Sequence, residues 1–348
     1  MSASCKITST RFILYLRSKS PAPMLECAHN ASNSFNFWLL RYSRSKVSET
    51  CKNELILSTN AAHSSFHCRK TIEDFHTVHL NPLYEFYGIF DGHLGNLASK
   101  YASSSFHHKI ELCLSDLDKQ IQSNQSSWRE DVGAKITQSF EDLHHGIVNA
   151  VTSSPGGIMD ESGTTATILL VTELAVIIAN VGDSRAVMSQ WSVDEKGNTL
   201  ISAMQLTVDH VASSDEEQVQ IIERGGFISQ SGGIDRVMGS LAVSRSLGDI
   251  KLASVLSRAP HVLTLTKEEI HLQCGTKQTV ARMPCFIVLA SDGLWDVINN
   301  QDAVDLAWQV IHGNENDTAY QDAAEVLAQE AYVRGSSDNI GVCVVAIM

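Results

Sequence analysis

The chain has 348 residues, 43% of them hydrophobic, and 39 Asp and Glu against 26 Lys and Arg leave a net charge of −13. That apolar share supports an ordered core and excludes a globally disordered chain, while the acidic balance excludes a general nucleic-acid binder. No run approaches the roughly 18 apolar residues of a membrane-spanning helix.

Residues 1–48 hold seven cations and a single acid, Glu26, and are rich in Ser and Asn. Organellar transit peptides share that basic, acid-poor composition. A mitochondrial or plastid address is therefore one expectation, and cytosol or nucleus with a basic tail is the other. Residues 49–348 are read as one catalytic-sized domain. The eight cysteines are scattered and none forms a C-x-x-C pair, which fits buried thiols in a reduced compartment. His63, His67 and Cys68 sit close together without a matching second half. A structural zinc site is not expected there, and the three are read as loop residues.

Further along, Tyr84–Phe90 reads as a buried strand, Leu97–Leu114 as a helix, and Val132–Val151 as a second helix beyond a polar break at Ser123–Ser127. Ser153–Gly157 is a loop. Thr165–Val171 and Leu174–Val181 flank a short turn and read as a hairpin. Asp215–Arg224 is a short helix closed by Gly225-Gly226. Phe286–Ala290 is another buried strand, followed by helices near Asp302–Ile311 and Gln321–Arg334 and a closing strand at Ile340–Ile347. Strands and helices come in pairs without βαβα alternation, which predicts an α+β layered domain.

Three of these strands run into a carboxylate: Asp91-Gly92-His93 after Phe90, Asp183 after Val181-Gly182, and Asp292-Gly293 after Ser291. Asp338 precedes the closing strand and Glu73-Asp74 precedes Tyr84. Each acid alone has a plain reading as a turn or cap residue. Several converging carboxylates, however, need a cation between them to stay ionised. Oxygen ligands select magnesium or manganese over zinc. The glycine after Asp91 allows its carbonyl to approach such an ion.

In order along the chain stand Arg69-Lys70-Thr71-Ile72-Glu73-Asp74, Phe90-Asp91-Gly92-His93, Ser162-Gly163-Thr164-Thr165-Ala166 and Asn180-Val181-Gly182-Asp183-Ser184-Arg185. They are followed by Leu241 to Asp249 (LAVSRSLGD), Ser291-Asp292-Gly293-Leu294-Trp295-Asp296 and Gly335-Ser336-Ser337-Asp338-Asn339. This ordered set resembles the type 2C protein phosphatases, the metal-dependent serine/threonine phosphatases, from roughly residue 50 onward. The resemblance implies an α-β-β-α sandwich of two antiparallel sheets flanked by helix pairs, phosphoprotein substrates and a monomer.

It also implies two Mg2+ or Mn2+ ions with a weaker third. Asp91 would bridge two ions, Asp292 and Asp338 would complete the first site, and Glu73 with the Gly92 carbonyl would serve the second. Asp183 and Asp296, with Asp292, match the third. Asp74 would hold a water at the metal, Arg69 would grip the substrate phosphate with its planar guanidinium, and His93 would protonate the leaving oxygen. Phosphate-monoester hydrolysis needs up to ~10²¹-fold acceleration, and a two-cation site with general-acid help suits that demand.

The chain departs from the family pattern at Leu94, where glycine is usual, in the stretch before Arg69, and at Val211-Ala212 after Asp209-His210, where a flap of about 211–235 begins. Leu94 and the altered stretch support one alternative, a catalytically weak or inactive scaffold. Other classes fail on their motifs. Within residues 49–348 no cysteine has Arg six positions later, Asp116-Leu117-Asp118 lacks the following Thr of D-x-D-x-T, and no G-x4-G-K-[ST] occurs. The acids are too dispersed for a twelve-residue calcium loop.

Overall fold

Every residue of the strand Tyr84–Phe90 is buried, because the strand has two covered faces. Phe86 and Phe90 enter one apolar cluster, and Tyr87 and Ile89 enter another on the opposite face, as a period of two requires. The computed structural model describes residues 61–67, 71–114, 117–123, 127–153, 160–273, 284–313 and 318–347. Residues 1–48, Arg69 and Cys68 lie outside them.

In chain order the first elements are β1 (Ala61–His67), β2 (Phe75–Asn81), β3 (Tyr84–Phe90), β4 (Gly92–His93), and the helices α1 (Leu97–Leu114), α2 (Leu117–Gln122) and α3 (Trp128–Thr152). Then come β5 (Gly163–Thr164), β6 (Ala166–Val171), β7 (Ala175–Val181), β8 (Arg185–Val193), β9 (Thr199–Gln205), α4 (Asp215–Glu223), β10 (Ile228–Ser231), β11 (Ile234–Val237) and β12 (Leu247–Gly248). The last are β13 (His261–Thr266), α5 (Lys267–Gln273), β14 (Phe286–Ala290), α6 (Asp292–Trp295), α7 (Asn300–His312), α8 (Ala319–Val333) and β15 (Asn339–Ala346).

Two five-stranded antiparallel sheets form, ordered β1-β15-β14-β8-β9 and β13-β7-β6-β3-β2. Between them lie Tyr87, Ile89, Leu169 and Ile178 from one sheet and Met188, Ile287, Leu289 and Val345 from the other. On its far face the second sheet meets α1 and α3. Val132, Ile136, Phe140, Leu143, Ile147 and Val151 make the buried stripe of α3, at the three-to-four-residue spacing of a helix face. Phe106 on α1 meets Phe140 edge-on at 4.9 Å, and burying each such ring contributes about 1.5–3 kcal/mol. Helix α8 covers the first sheet with small residues, Ala323, Ala324, Ala328 and Ala331, and packs on β1 and β15. The order of layers is helix, sheet, sheet, helix, as the sequence resemblance implied.

The predicted elements are present with ends moved by a few residues. One reading is overturned: His63 and His67 lie in β1, paired with Cys343 and Asn339 of β15, rather than in a loop. Between β9 and β12 the flap carries α4 and the β10–β11 hairpin, which runs to Val237. No helix among the described residues is long and apolar enough to cross a membrane.

Candidate active site

Three strands stop at the same end of the sandwich. Asp91 follows β3, Asp183 follows β7 by two residues, and Asp292 opens α6 just after β14. One carboxylate oxygen from each lies within 4.8 Å of the others. Two of these acids hang from one sheet and one from the other, so the face-to-face packing brings them together. Among the described residues no other group of three His, Cys, Asp or Glu side chains comes this close.

The backbone around Asp91 is fixed by the Thr164-Thr165 pair. The Thr165 N–H donates to the Asp91 carbonyl at 2.8 Å, and the Asp91 N–H donates to Thr165 Oγ1 at 3.1 Å. Thr164 Oγ1 donates to the same carbonyl at 3.1 Å. Thr165 Oγ1 also meets Ser184 Oγ at 2.9 Å, which ties the Asp183 loop to the Asp91 loop. From the other side, His210 locks Gly182. Its N–H donates to the Gly182 carbonyl at 2.9 Å, and its Nδ1 accepts the Gly182 N–H at 3.3 Å. Accepting that bond requires a neutral ring, and burial pushes the His210 pKa down to about 4. Asn339 Oδ1 accepts the Glu73 N–H at 2.9 Å, anchoring the Glu73-Asp74 loop to the start of β15. Gly92 passes so close to this loop that a Cβ there would collide with the Glu73 carbonyl oxygen.

The electrostatics are those of crowded, buried acids. Burial, then Asp74, Asp292 and Asp183, raise the Asp91 pKa well above the carboxylate range. Burial and Asp292 do the same for Asp183. Asp74 is pushed up to about 7, by burial first and also by Asp292 and Asp338, against a hydrogen bond from Ser291. Its Oδ2 is buried with no hydrogen-bond partner. Asp296 is raised by burial and by Asp338, and Arg185 opposes the shift. A divalent cation fits this donor set. It would offset the mutual repulsion, and hard oxygen ligands are the kind magnesium and manganese take.

The other predicted positions surround the triad. Glu73 Oε1 accepts the Gly95 N–H at 3.0 Å, and Glu73 lies outside the compact group of three. Asp338 bears on both Asp74 and Asp296. His93 faces Asp249, with Nε2 at 2.8 and 2.9 Å from its two oxygens. Arg69 falls outside the described residues. Sequence alone assigns no separate role to Thr165, Ser184, Asn339 and Asp249, which lie within the quoted motifs, or to His210, which precedes the flap.

The sequence model of the family described as Protein phosphatase 2C matches residues 58–340. Protein phosphatase 1L of Bos taurus is 34% identical over 261 residues, which cover 74% of this chain and 63% of that protein. Protein phosphatase 2C 50 of Oryza sativa subsp. japonica is 30% identical, over 74% of this chain and 68% of its own length. The chain thus spans just under two thirds of the bovine relative. Among solved structures, a serine-threonine phosphatase 2C from Toxoplasma gondii superposes with a TM-score of 0.66 at 21% identity, over 82% of this chain and 94% of that one.

Proposed function

The chain belongs to the protein phosphatase 2C family, and on that premise we propose that its acidic cleft hydrolyses phosphoserine and phosphothreonine in proteins with two divalent cations, Mg2+ or Mn2+. The observation that carries this reading is the convergence of Asp91, Asp183 and Asp292 from both sheets. Asp91, Asp292 and Asp338 would hold one ion, and Asp91, Glu73 and the Gly92 carbonyl the other. Asp183 and Asp296, with Asp292, would hold a weaker third. When bound, the ions supply a water acidified toward neutral pH and charge to offset the phosphoryl oxygens.

The chain's own residues do the rest. Arg69 holds two phosphate oxygens through its guanidinium fork. Asp74, buried beside Asp91, accepts a hydrogen bond from the attacking water and orients it. His93 gives a proton to the serine or threonine oxygen as its bond to phosphorus breaks, a contribution of roughly 10²–10⁴-fold for a poor leaving group. The protein acts as a monomer in this reading; whether the basic residues 1–48 address it to a mitochondrion or plastid, or it stays in cytosol or nucleus, is tested by a fluorescent fusion to that segment.

Leu94 favours one second reading, the weak or inactive scaffold, because it holds a left-handed φ of +57° directly after His93. Even so, His93 keeps its contact with Asp249. Phosphopeptide hydrolysis with Mn2+, with Mg2+ and with a chelator tests the choice. Chelator-sensitive phosphate release that Asp292→Asn abolishes supports the enzyme. Metal binding without turnover replaces it with the scaffold.

A further inference from the structure

A three-stranded miniature sheet lies beside the acidic cluster, in the order β12-β5-β4. Its register sets His93 opposite Gly163, and Gly163 opposite Gly248. Asp249 follows Gly248 directly. A side chain at Gly163 would collide with both Asp249 Oδ2 and His93 Nε2, so the glycine leaves the gap across which they meet. The Asp249 side chain is 3% exposed and that of His93 18%.

Asp249 is itself held. Its φ is +43°, a left-handed conformation that Asp and Asn tolerate better than most residues. Its N–H donates to the Ser162 carbonyl at 3.3 Å, and its carbonyl accepts the Leu252 N–H at 2.8 Å. The Ser246 hydroxyl donates to Oδ2. The carboxylate is a pre-aimed acceptor in a fixed place, and the imidazole is the more exposed partner.

We propose that Asp249 is a positioning residue for His93. It accepts a hydrogen bond from Nε2–H and so fixes the ring plane, leaving the Nδ1–H of the doubly protonated imidazole as the proton passed to the substrate. This inference rests on the phosphatase reading. In that step the leaving oxygen keeps the electron pair of the broken P–O bond and takes the Nδ1 proton, while water supplies the oxygen that joins phosphorus. The carboxylate exchanges no proton; its work is orientation, and a general acid outside hydrogen-bond reach contributes little.

The test uses the full chain with Mg2+ and the variants D249N, H93A and D249N/H93A. Asn accepts the left-handed backbone, so D249N keeps the local fold. With a phosphothreonine peptide, kcat of D249N falls by about 10–100-fold, a part of the roughly 10²–10⁴-fold that general-acid help supplies. With an activated aryl phosphate the loss is much smaller, and in the H93A background D249N adds nothing further. Equal losses on both substrates, or a full additional loss on top of H93A, would overturn the assignment and make Asp249 merely structural. Independently of turnover, 15N-histidine NMR decides the contact: the His93 signals show a protonated Nε2 in the parent and change in D249N. An unchanged spectrum refutes the proposal, whereas absent turnover in the parent with the expected spectral change refutes only the phosphatase reading.

Discussion

Thr165 and Asp91 hold each other through reciprocal hydrogen bonds, 2.8 Å from the Thr165 N–H to the Asp91 carbonyl and 3.1 Å from the Asp91 N–H to Thr165 Oγ1. A side-chain hydroxyl buried in a strand-end loop is thus the direct support of an acid at the centre of the cluster. Thr165→Val keeps the shape but strands the Asp91 N–H without its acceptor, which costs about 1–3 kcal/mol. Calorimetry of the variant is expected to show a melting temperature several degrees lower and weaker Mn2+ binding, with Thr165→Ser restoring both. Unchanged melting and binding would show that Asp91 is held by its sheet alone.

Asp91→Asn acts with opposite signs on the two states of the site. Burial and three neighbouring carboxylates raise the Asp91 pKa, so a neutral amide relieves repulsion in the metal-free fold. At pH 8 the metal-free variant is expected to melt above the metal-free parent. Its Mn2+ affinity, read by titration calorimetry, drops at least tenfold, since one carboxylate ligand is gone, and phosphatase turnover disappears. A variant that melts lower without metal would contradict the repulsion argument.

The same acids set a pH dependence. Asp74 is raised from 3.8 to about 7, and Asp91 and Asp183 are raised as well. The native state therefore binds more protons than the unfolded chain between those limits, and stability falls as pH rises through that window. Metal-free protein is expected to lose melting temperature steadily from pH 5 to pH 8. Saturating Mg2+ narrows the loss, and its stabilising increment grows with pH. An increment independent of pH would mean that ions bind away from these carboxyls.

Glu217 on α4 anchors the flap. Arg245 Nε donates to its Oε2 at 2.9 Å and Ser244 Oγ to the same oxygen at 2.6 Å. Burial pushes the Glu217 pKa up, but these bonds and the guanidinium charge outweigh burial and hold it below the usual range. A depressed acid stabilises above its unfolded pKa, and that contribution fades as pH falls through the folded value. Glu217→Ala leaves Arg245 half-buried without its partner, a loss of about 3–5 kcal/mol for buried pairs. Amide exchange is expected to speed up across α4 and the β10–β11 hairpin while the two large sheets keep their protection. Uniform loss across all strands would deny the flap its separate attachment.

Much of this was legible in the amino-acid order because strand ends and acids coincide. Tyr84–Phe90 is wholly apolar apart from Glu85 and Gly88 and breaks at Asp91-Gly92, so strand and site announce themselves together. The long stripes of α3 and α8 were equally plain. Strands β2 and β9 were not, since both lie at sheet edges with half-exposed, mixed sequences that carry no clear period. His63 and His67 read as loop residues because the strand that pairs with them, β15, lies 272 or more residues away in register. The meeting of His93 with Asp249 depends on a three-stranded sheet of dipeptides, and pairings that short leave no pattern to read. The acids of the site were found through ordered motifs. The hydroxyl, amide and imidazole groups that hold them could be assigned only once the strands were in place.

Strand β15 comes last among the described elements, yet it lies between β1 and β14 inside its sheet, and its first residue, Asn339, fastens a loop 266 positions earlier. On the ribosome, the sheet built from β2, β3, β6, β7 and β13 can assemble while its partner still waits for its inner strand. Domains gain their structure as the chain emerges, and here the metal-binding end cannot close until translation of this region is nearly finished. A nascent chain paused after β14 would present β1, β8 and β14 as an interrupted sheet with open edges, a surface for chaperones, and would carry no working acidic centre. A truncation before Asn339 keeps every acid of the cluster but loses the strand whose first residue fastens the Glu73-Asp74 loop.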